Sequence, residues 1–298
     1  MKKAIGLDIG GTKIAAGIVT EHGELLGRVE VKSDPSGREA MFARVCEAVE
    51  QVLNEVSISI DQIEGIGAGV PGKVDRKEGI AIYQNNLPWG NFPVRERLAE
   101  RFKESRITID NDVYMAAFAE WVSQKDLEET FVYITISTGI ASSIIHKGDF
   151  IRGAGFAGEL GLIPVLIGDS NERLEKIAAG PGIRKLAEKE LKQDIGSTKD
   201  VFDRFLSGAE GYDVIIEQIA EYIAQGIYSI SSLIDPHRIV FGGSVIVNNP
   251  FLLDLIKNKL KAHQLVDQQH LLNHLYISRL RENNGVVGAG LRVFDDSL

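Results

Sequence analysis

The sequence predicts an α/β protein of two lobes with a cleft between them, built on a duplicated β-β-β-α-β-α module. Three observations lead there. The chain has 298 residues, more than one hydrophobic core ordinarily supports. Residues 3–31 read as an antiparallel meander of three strands, and a second strand-turn-strand meander begins at Phe131. No low-complexity linker separates the repeats, so a helix and a hinge are expected to join them.

Each element follows from a local pattern. The runs AIGLDIGG, TKIAAGIVT and EHGELLGRVEVK are β-rich and separated by glycine turns, the second at His22-Gly23. Met41, Val45, Val49, Val52 and Leu53 recur at helical spacing within 36–56, and 63–70 is a β-rich run stopped by Pro71-Gly72. A helix over Pro93–Glu104 leads to the strand Ile107–Ile109 and the polar corner Asp110-Asn111-Asp112. In the second half FVYITIS, a turn at Thr138-Gly139, ASSIIHKG and DFIRGA form the repeat. Helical patterns cover Leu174–Ala178, Ile183–Leu191, Thr198–Leu206 and Tyr212–Leu233; a buried strand, Arg238–Phe241, then ends in Gly242-Gly243-Ser244. Tyr276–Leu280 reads as a strand and Gly285–Phe294 as a closing helix. The expected domains are 1–117 for a small lobe, 118–284 for a large lobe, and 285–298 for a helix returning to the first.

Composition narrows the function classes. A hydrophobic fraction of 44% with 25% charged residues is that of a globular chain. No apolar run approaches the ~18 residues of a membrane span, and the N-terminal strand is too short for a secretory signal. A cytoplasmic protein with no membrane partner is expected. Cys46, the single cysteine, forms no internal disulfide and builds no multi-cysteine zinc site; it falls in a helical pattern where a buried thiol is ordinary. A net charge of −9 without a Lys/Arg run argues against nucleic acid. Any polyanion must therefore be held by backbone N–H groups and a metal ion rather than by a field of lysines.

Two segments carry chemistry. In Asp8-Ile9-Gly10-Gly11-Thr12-Lys13 the glycine pair lets backbone N–H groups approach an anion, Thr12 and Lys13 add donors, and Asp8 at the strand end can hold magnesium through water. Two glycines alone would be a hairpin turn; the Asp before them and the Thr-Lys after them favour phosphate. Asn111-Asp112 sits between a strand and a helix, where the helix dipole keeps a carboxylate ionised and able to accept a proton. The spacing alone favours a helix cap at Asp110, Asn111 or Asp112.

Other patterns carry less. Gly67 to Gly72 and Gly153 to Gly158 both satisfy G-x-G-x-x-G but lack the strand-turn-helix context of a dinucleotide site. His270 and His274 lack the intervening Glu of a zinc protease helix and read as a surface helix. No P-loop occurs, and Gly243-Ser244-Val245-Ile246 lacks the second glycine of a nucleophile elbow.

Taken together, the chain resembles the ROK family (repressor, open reading frame, kinase) of sugar kinases over nearly its whole length. The matching segments are DIGGTK at 8–13, GAGVPGKVD at 67–75, NNLPW at 85–89, DNDVYMAAFAE at 110–120, STGI at 137–140, GFAGELG at 155–161, LEKIAAGPGI at 174–183 and DPHRIVFGGSV at 235–245. The resemblance implies an actin-like ATPase (ribonuclease H-like) fold that transfers phosphate from ATP to a sugar hydroxyl, with the nucleotide between the lobes. It implies that Asp8 organises Mg2+, that Gly10, Gly11, Thr12 and Lys13 hold phosphate with Thr138 and Gly139, and that Gly242 and Gly243 approach the adenosine. Asn86, Asn111, Asp112, Glu159 and Glu175 match sugar-binding positions, with Asp112 as the base. The family also implies a homodimer.

Three departures stand out. Leu162 occupies the place of a common His and VLIGDSNERLE contains no Cys, so no zinc is expected and a larger acceptor has room. Ala141, Ser142 and Ser143 replace glycines after the Thr-Gly pair, which restricts the backbone and crowds a phosphate. Tyr114 replaces an Asn. The expected function is an ATP-dependent kinase acting at C6 of a hexose, an N-acetylhexosamine such as N-acetylmannosamine, or a β-glucoside. A sugar-responsive regulator and a sugar-binding protein that has lost transfer are the alternatives.

Overall fold

The computed structural model describes residues 1–84, 86–103, 106–124 and 129–295. Asn85 of the NNLPW segment, Glu104 at the expected end of a helix, and 296–298 lie outside the described residues. The chain divides into one unit of Met1–Lys125 with Asn283–Leu298 and another of Asp126–Glu282.

In the first unit β1 (Lys3–Ile9), β2 (Lys13–Thr20) and β3 (Leu25–Lys32) form the meander, and α1 (Arg38–Val56) crosses to β4 (Ile66–Val70). The crossover is helical because Met41, Val45, Val49 and Val52 recur on one face, all at 0% exposure. It stops where Ser57 turns left-handed at φ 55. A small sheet of β5 (Lys73–Asp75), β6 (Ile80–Tyr83) and β7 (Gly90–Phe92) then leaves the main sheet, and α2 (Val94–Phe102), β8 (Ile107–Asn111) and α3 (Asp112–Ser123) return to it. The main sheet runs β3-β2-β1-β4-β8, with β1, β4 and β8 parallel. Helix α3 stays whole within this unit, so the division falls after it and not at the expected 117/118.

The second unit repeats the scheme. Its meander is β9 (Thr130–Ile136), β10 (Ile140–His146) and β11 (Asp149–Ile151), followed by a hairpin of β12 (Pro164–Ile167) and β13 (Ser170–Arg173). Helices α4 (Leu174–Ala178), α5 (Gly180–Leu191), α6 (Thr198–Leu206) and α7 (Tyr212–Ile234) precede β14 (Arg238–Gly242). Then come α8 (Ser244–Asn248), α9 (Phe251–His263) and β15 (Leu275–Ile277). The sheet order, β11-β10-β9-β14-β15, matches the first: an antiparallel meander extended by two parallel strands. Residues 266–274 form a 3-10 stretch instead of the expected surface helix, so His270 and His274 do not share an α-helical face.

The closing helix α10 (Asn284–Arg292) belongs to the first unit, packed on β1, β4 and α3. Its tightest contacts are with backbone atoms. A Cβ on Gly288 would lie 1.7 Å from the Met115 carbonyl oxygen, and one on Gly67 of β4 would lie 1.8 Å from that of Ala289. Gly67 thus serves helix packing, which accounts for the glycine spacing at 67–72 without a nucleotide.

Candidate functional site

Asp8 ends up where it does because β1 and β4 run parallel in register. Asp8 pairs with Gly69, and Gly69 with Asp110 on β8, so the carboxyl ends of three parallel strands align two acids around a glycine. Ligands of open α/β sheets collect at such ends. Asp8 is half-buried, and desolvation holds its carboxyl above the usual aspartate range against the charges of Lys13 and Arg28. Gly285 at the start of α10 leaves it space, since a Cβ there would come 2.7 Å from Oδ2.

The turn after β1 closes with Gly10 N–H donating to the Lys13 carbonyl at 2.9 Å. Ser33 on the neighbouring chain end braces it, its hydroxyl donating to the Gly10 carbonyl at 2.6 Å and its N–H to that of Thr12 at 3.0 Å. The Gly11 and Thr12 amides donate to no group among the described residues. Gly11 lies against Asn86, whose carbonyl oxygen would be 2.7 Å from a Cβ at that position. Lys13 is exposed and paired with Glu30.

Asn111 and Asp112 divide the work at the start of α3. Asn111 is the cap: its Oδ1 accepts the Val113 N–H at 2.9 Å, and its Nδ2 donates to the Gly72 carbonyl at 3.0 Å. Asp112 is therefore the first helical residue, where the dipole favours the ionised form. Its Oδ1 shares the Val113 N–H at 3.0 Å. Gly69 permits this approach, because a side chain there would meet the Asp112 Cα at 3.3 Å.

In the second unit Thr138 and Gly139 form the exposed turn between β9 and β10, with Ser137 N–H donating to the Gly139 carbonyl at 2.9 Å. Nothing lies within 4 Å of where a Gly139 Cβ would stand, and the two amides donate to no group among the described residues. Ala141, Ser142 and Ser143 belong to strand β10, paired with Thr135, Ile134 and Tyr133, so they stand outside the turn they were expected to crowd. Ser142 instead anchors the next loop, its N–H and hydroxyl both donating to the Gly158 carbonyl at 2.7 and 2.8 Å.

That loop carries Glu159, and α4 carries Glu175. Burial first, and then the Glu175 charge, raise the Glu159 carboxyl above its usual range. Gly161 sits between them, with the Glu175 Cβ 3.0 Å from its own missing one. Leu162 is exposed at the end of a 3-10 turn over Leu160–Leu162 that follows Glu159. The segment after it is a hairpin, tied to α7 by the Leu166 N–H donating to Gln225 Oε1 at 2.8 Å. Among the described residues no three His, Cys, Asp or Glu side chains gather as metal ligands.

Gly242 and Gly243 close β14 beside the same turn. A Cβ on Gly242 would stand 2.0 Å from the Tyr133 hydroxyl, and one on Gly243 (φ 85) 2.4 Å from the Ile136 carbonyl, so packing against β9 alone demands glycine at both. Sequence reading passed over the brace Ser33 and the buried Glu120, whose Oε1 accepts from Asn284 Nδ2 at 3.4 Å, and took Ser142 as part of the phosphate turn and not as a brace. No local pattern marks them, because each acts on a main-chain group or partner remote in sequence.

The two sheets of matching order, with these glycine turns at their meanders, define the actin-like ATPase fold. The ROK family profile matches residues 4–294, and the chain belongs to that family. A glucokinase from Halalkalibacterium halodurans is 28% identical, covering 96% of this chain and 93% of its own. The ROK hexokinase of Thermus thermophilus superposes with a TM-score of 0.82 at 30% identity over 98% of both chains. A ROK glucokinase from Streptomyces griseus, solved with glucose and AMPPNP, gives 0.79 at 25% identity over 96% of this chain and 97% of that one.

Proposed function

We propose that this chain is an ATP-dependent sugar kinase that transfers the γ-phosphate to the C6 hydroxyl of a hexose, an N-acetylhexosamine such as N-acetylmannosamine, or a β-glucoside. The observation that carries the reading is Asp112 as the first residue of α3, two residues beyond Asp110 in the aligned row of Asp8, Gly69 and Asp110. With Asn111 serving as the cap, the Asp112 carboxylate has the role of base: it accepts the proton of the attacking hydroxyl. Asn86, Asn111, Glu159 and Glu175 hold the other sugar hydroxyls, and holding the acceptor in place replaces the entropy loss of a bimolecular encounter.

The phosphate donor fits the residues present. Gly11, Thr12, Thr138 and Gly139 offer main-chain donors to phosphate oxygens, and the end of β14 at Gly242 and Gly243 is the part that would meet the adenosine. Magnesium on the nucleotide supplies neutralisation of phosphate charge, and Asp8, already desolvated, would hold it through water. One carboxylate suffices for a magnesium ion that keeps most of its waters and takes phosphate oxygens. A cytoplasmic homodimer without structural zinc completes the proposal.

The test is ADP release with Mg-ATP against a panel of mono- and disaccharides. A sugar-dependent signal with at least one acceptor is expected. Sugar affinity without ADP release on any acceptor would return the chain to a binding or regulatory protein.

A further inference from the structure

We propose that Arg76 and Asp110 are positioning residues that keep the β5–β7 excursion, which leads to Asn86, in register with the Asn111-Asp112 end of β8. The proposal rests on the sugar-kinase reading above. Its starting point is the burial of Asp110, whose side chain is 3% exposed. A carboxylate so far from water needs compensating partners. Its Oδ1 accepts the Asn111 N–H at 2.8 Å, which fixes the backbone of the residue that caps α3. Its Oδ2 lies 3.8 Å from Arg76 Nη1, in the turn between β5 and β6.

That turn is clamped in its own right. Arg95, in the first turn of α2, donates from Nη2 to the Arg76 carbonyl at 2.6 Å and from Nη1 to that of Lys77 at 2.7 Å. Its Nε donates to the Ile107 carbonyl of β8 at 3.1 Å. Gly79, at φ 76, gives the guanidinium stem its room, since a Cβ there would meet the Arg95 Cβ at 2.3 Å. At the far end of β8, Asn111 Nδ2 donates to the Gly72 carbonyl where the excursion begins. The excursion is therefore gripped at three heights of one strand: Ile107, Asp110 and Asn111.

The glycine turn after β1 is braced by a different group, Ser33. Loosening Arg76 therefore acts first on the sugar side, through Asn86 and Asn111, while Ser33 still holds the glycine turn, whose Gly11 packs against Asn86. A general weakening of the fold would act on both.

The experiment uses the acceptor found in the sugar panel and compares Arg76→Ala, Arg76→Lys, Asp110→Asn and the double variant Arg76→Ala/Asp110→Asn. Arg95 still holds the Arg76 carbonyl when the side chain is cut back to alanine, and Tm measured on each variant separates lost stability from lost sugar affinity. For Arg76→Ala, KM for the sugar rises about tenfold while KM for Mg-ATP stays within about twofold, and Arg76→Lys recovers most of the loss. The double variant is no worse than Asp110→Asn alone, because the two act as a unit. An unchanged sugar KM in Arg76→Ala overturns the proposal, as does an equal rise in both KM values with a lowered Tm. If wild type turns over no sugar at all, the kinase reading itself falls; if wild type is active and Arg76→Ala matches it, this proposal alone falls.

Discussion

Replacing Gly288 by alanine inserts a methyl group where α10 touches α3. The new carbon would stand 1.7 Å from the Met115 carbonyl oxygen, whereas real contacts of this kind essentially never fall below 3.0 Å. The helices must part by more than 1 Å, because the opposing atom is backbone and cannot rotate away. Overpacking of this kind costs about 3 kcal/mol at the upper end of its usual range. Alanine regains about 1 kcal/mol of helix propensity over glycine. The net loss of about 2 kcal/mol corresponds to a fall in Tm of about 4–8 °C for a unit of this size. Met115 is in the first turn of α3, so Asp112 moves with it, and a displacement near 1 Å lowers kcat/KM by about 10- to 100-fold. Calorimetry and coupled ADP release on Gly288→Ala measure both, with Gly37→Ala as control, since nothing lies within 4 Å of that position. A Gly288→Ala protein with wild-type Tm and activity would refute the packing that seats α3.

Three further outcomes are expected. Burial raises the Asp8 carboxyl, so the folded state holds this proton more tightly than the unfolded chain; its stabilising contribution is full below the ordinary aspartate pKa and is lost as pH rises through the raised value. At pH 7 Asp8→Asn therefore raises Tm while abolishing phosphoryl transfer, and a lowered Tm in differential scanning fluorimetry would contradict the assignment. Glu175→Gln removes the charge that adds to the raised Glu159 pKa, so the acid limb of kcat/KM against pH shifts to lower pH; an unmoved limb shows that Glu159 ionisation does not govern sugar binding. The Cys46 thiol, pushed up to about 11 by burial, reacts with a disulfide reagent at pH 8 only after unfolding, and rapid stoichiometric labelling of the native protein would show it exposed.

What was legible in the sequence was what local spacing encodes. Met41, Val45, Val49 and Val52 of α1 and the Thr198–Leu206 helix follow from a period of 3.6, and the paired meanders from β-rich runs broken by glycine turns. The β5–β7 sheet escaped because its strands have three or four residues, too few to show a period. Helix α9 was missed although Leu252, Leu253, Ile256 and Leu260 carry helical spacing and are buried. The local settings of the candidate residues were equally legible: Asp8 near a strand end, the glycine turn after it, and Asn111-Asp112 at a strand-to-helix corner. What spacing leaves open is register, and it is register that sets Asp8, Gly69 and Asp110 in one row. The cap question was likewise decided by geometry, since both Oδ1 atoms accept the Val113 N–H and it is the extended backbone of Asn111 (ψ 144) that marks it as the cap and Asp112 as the first helical residue.

The most direct measurement is single-turnover phosphoryl transfer by Asp112→Asn, with phosphosugar followed by 31P NMR. The side chain keeps its size and position at the start of α3, so folding and sugar affinity should match wild type. The rate should fall by about 10²–10⁴-fold, the usual contribution of a positioned general base. Phosphosugar formed at the wild-type rate would contradict the account, because the proton would then leave by a route that does not involve this carboxylate.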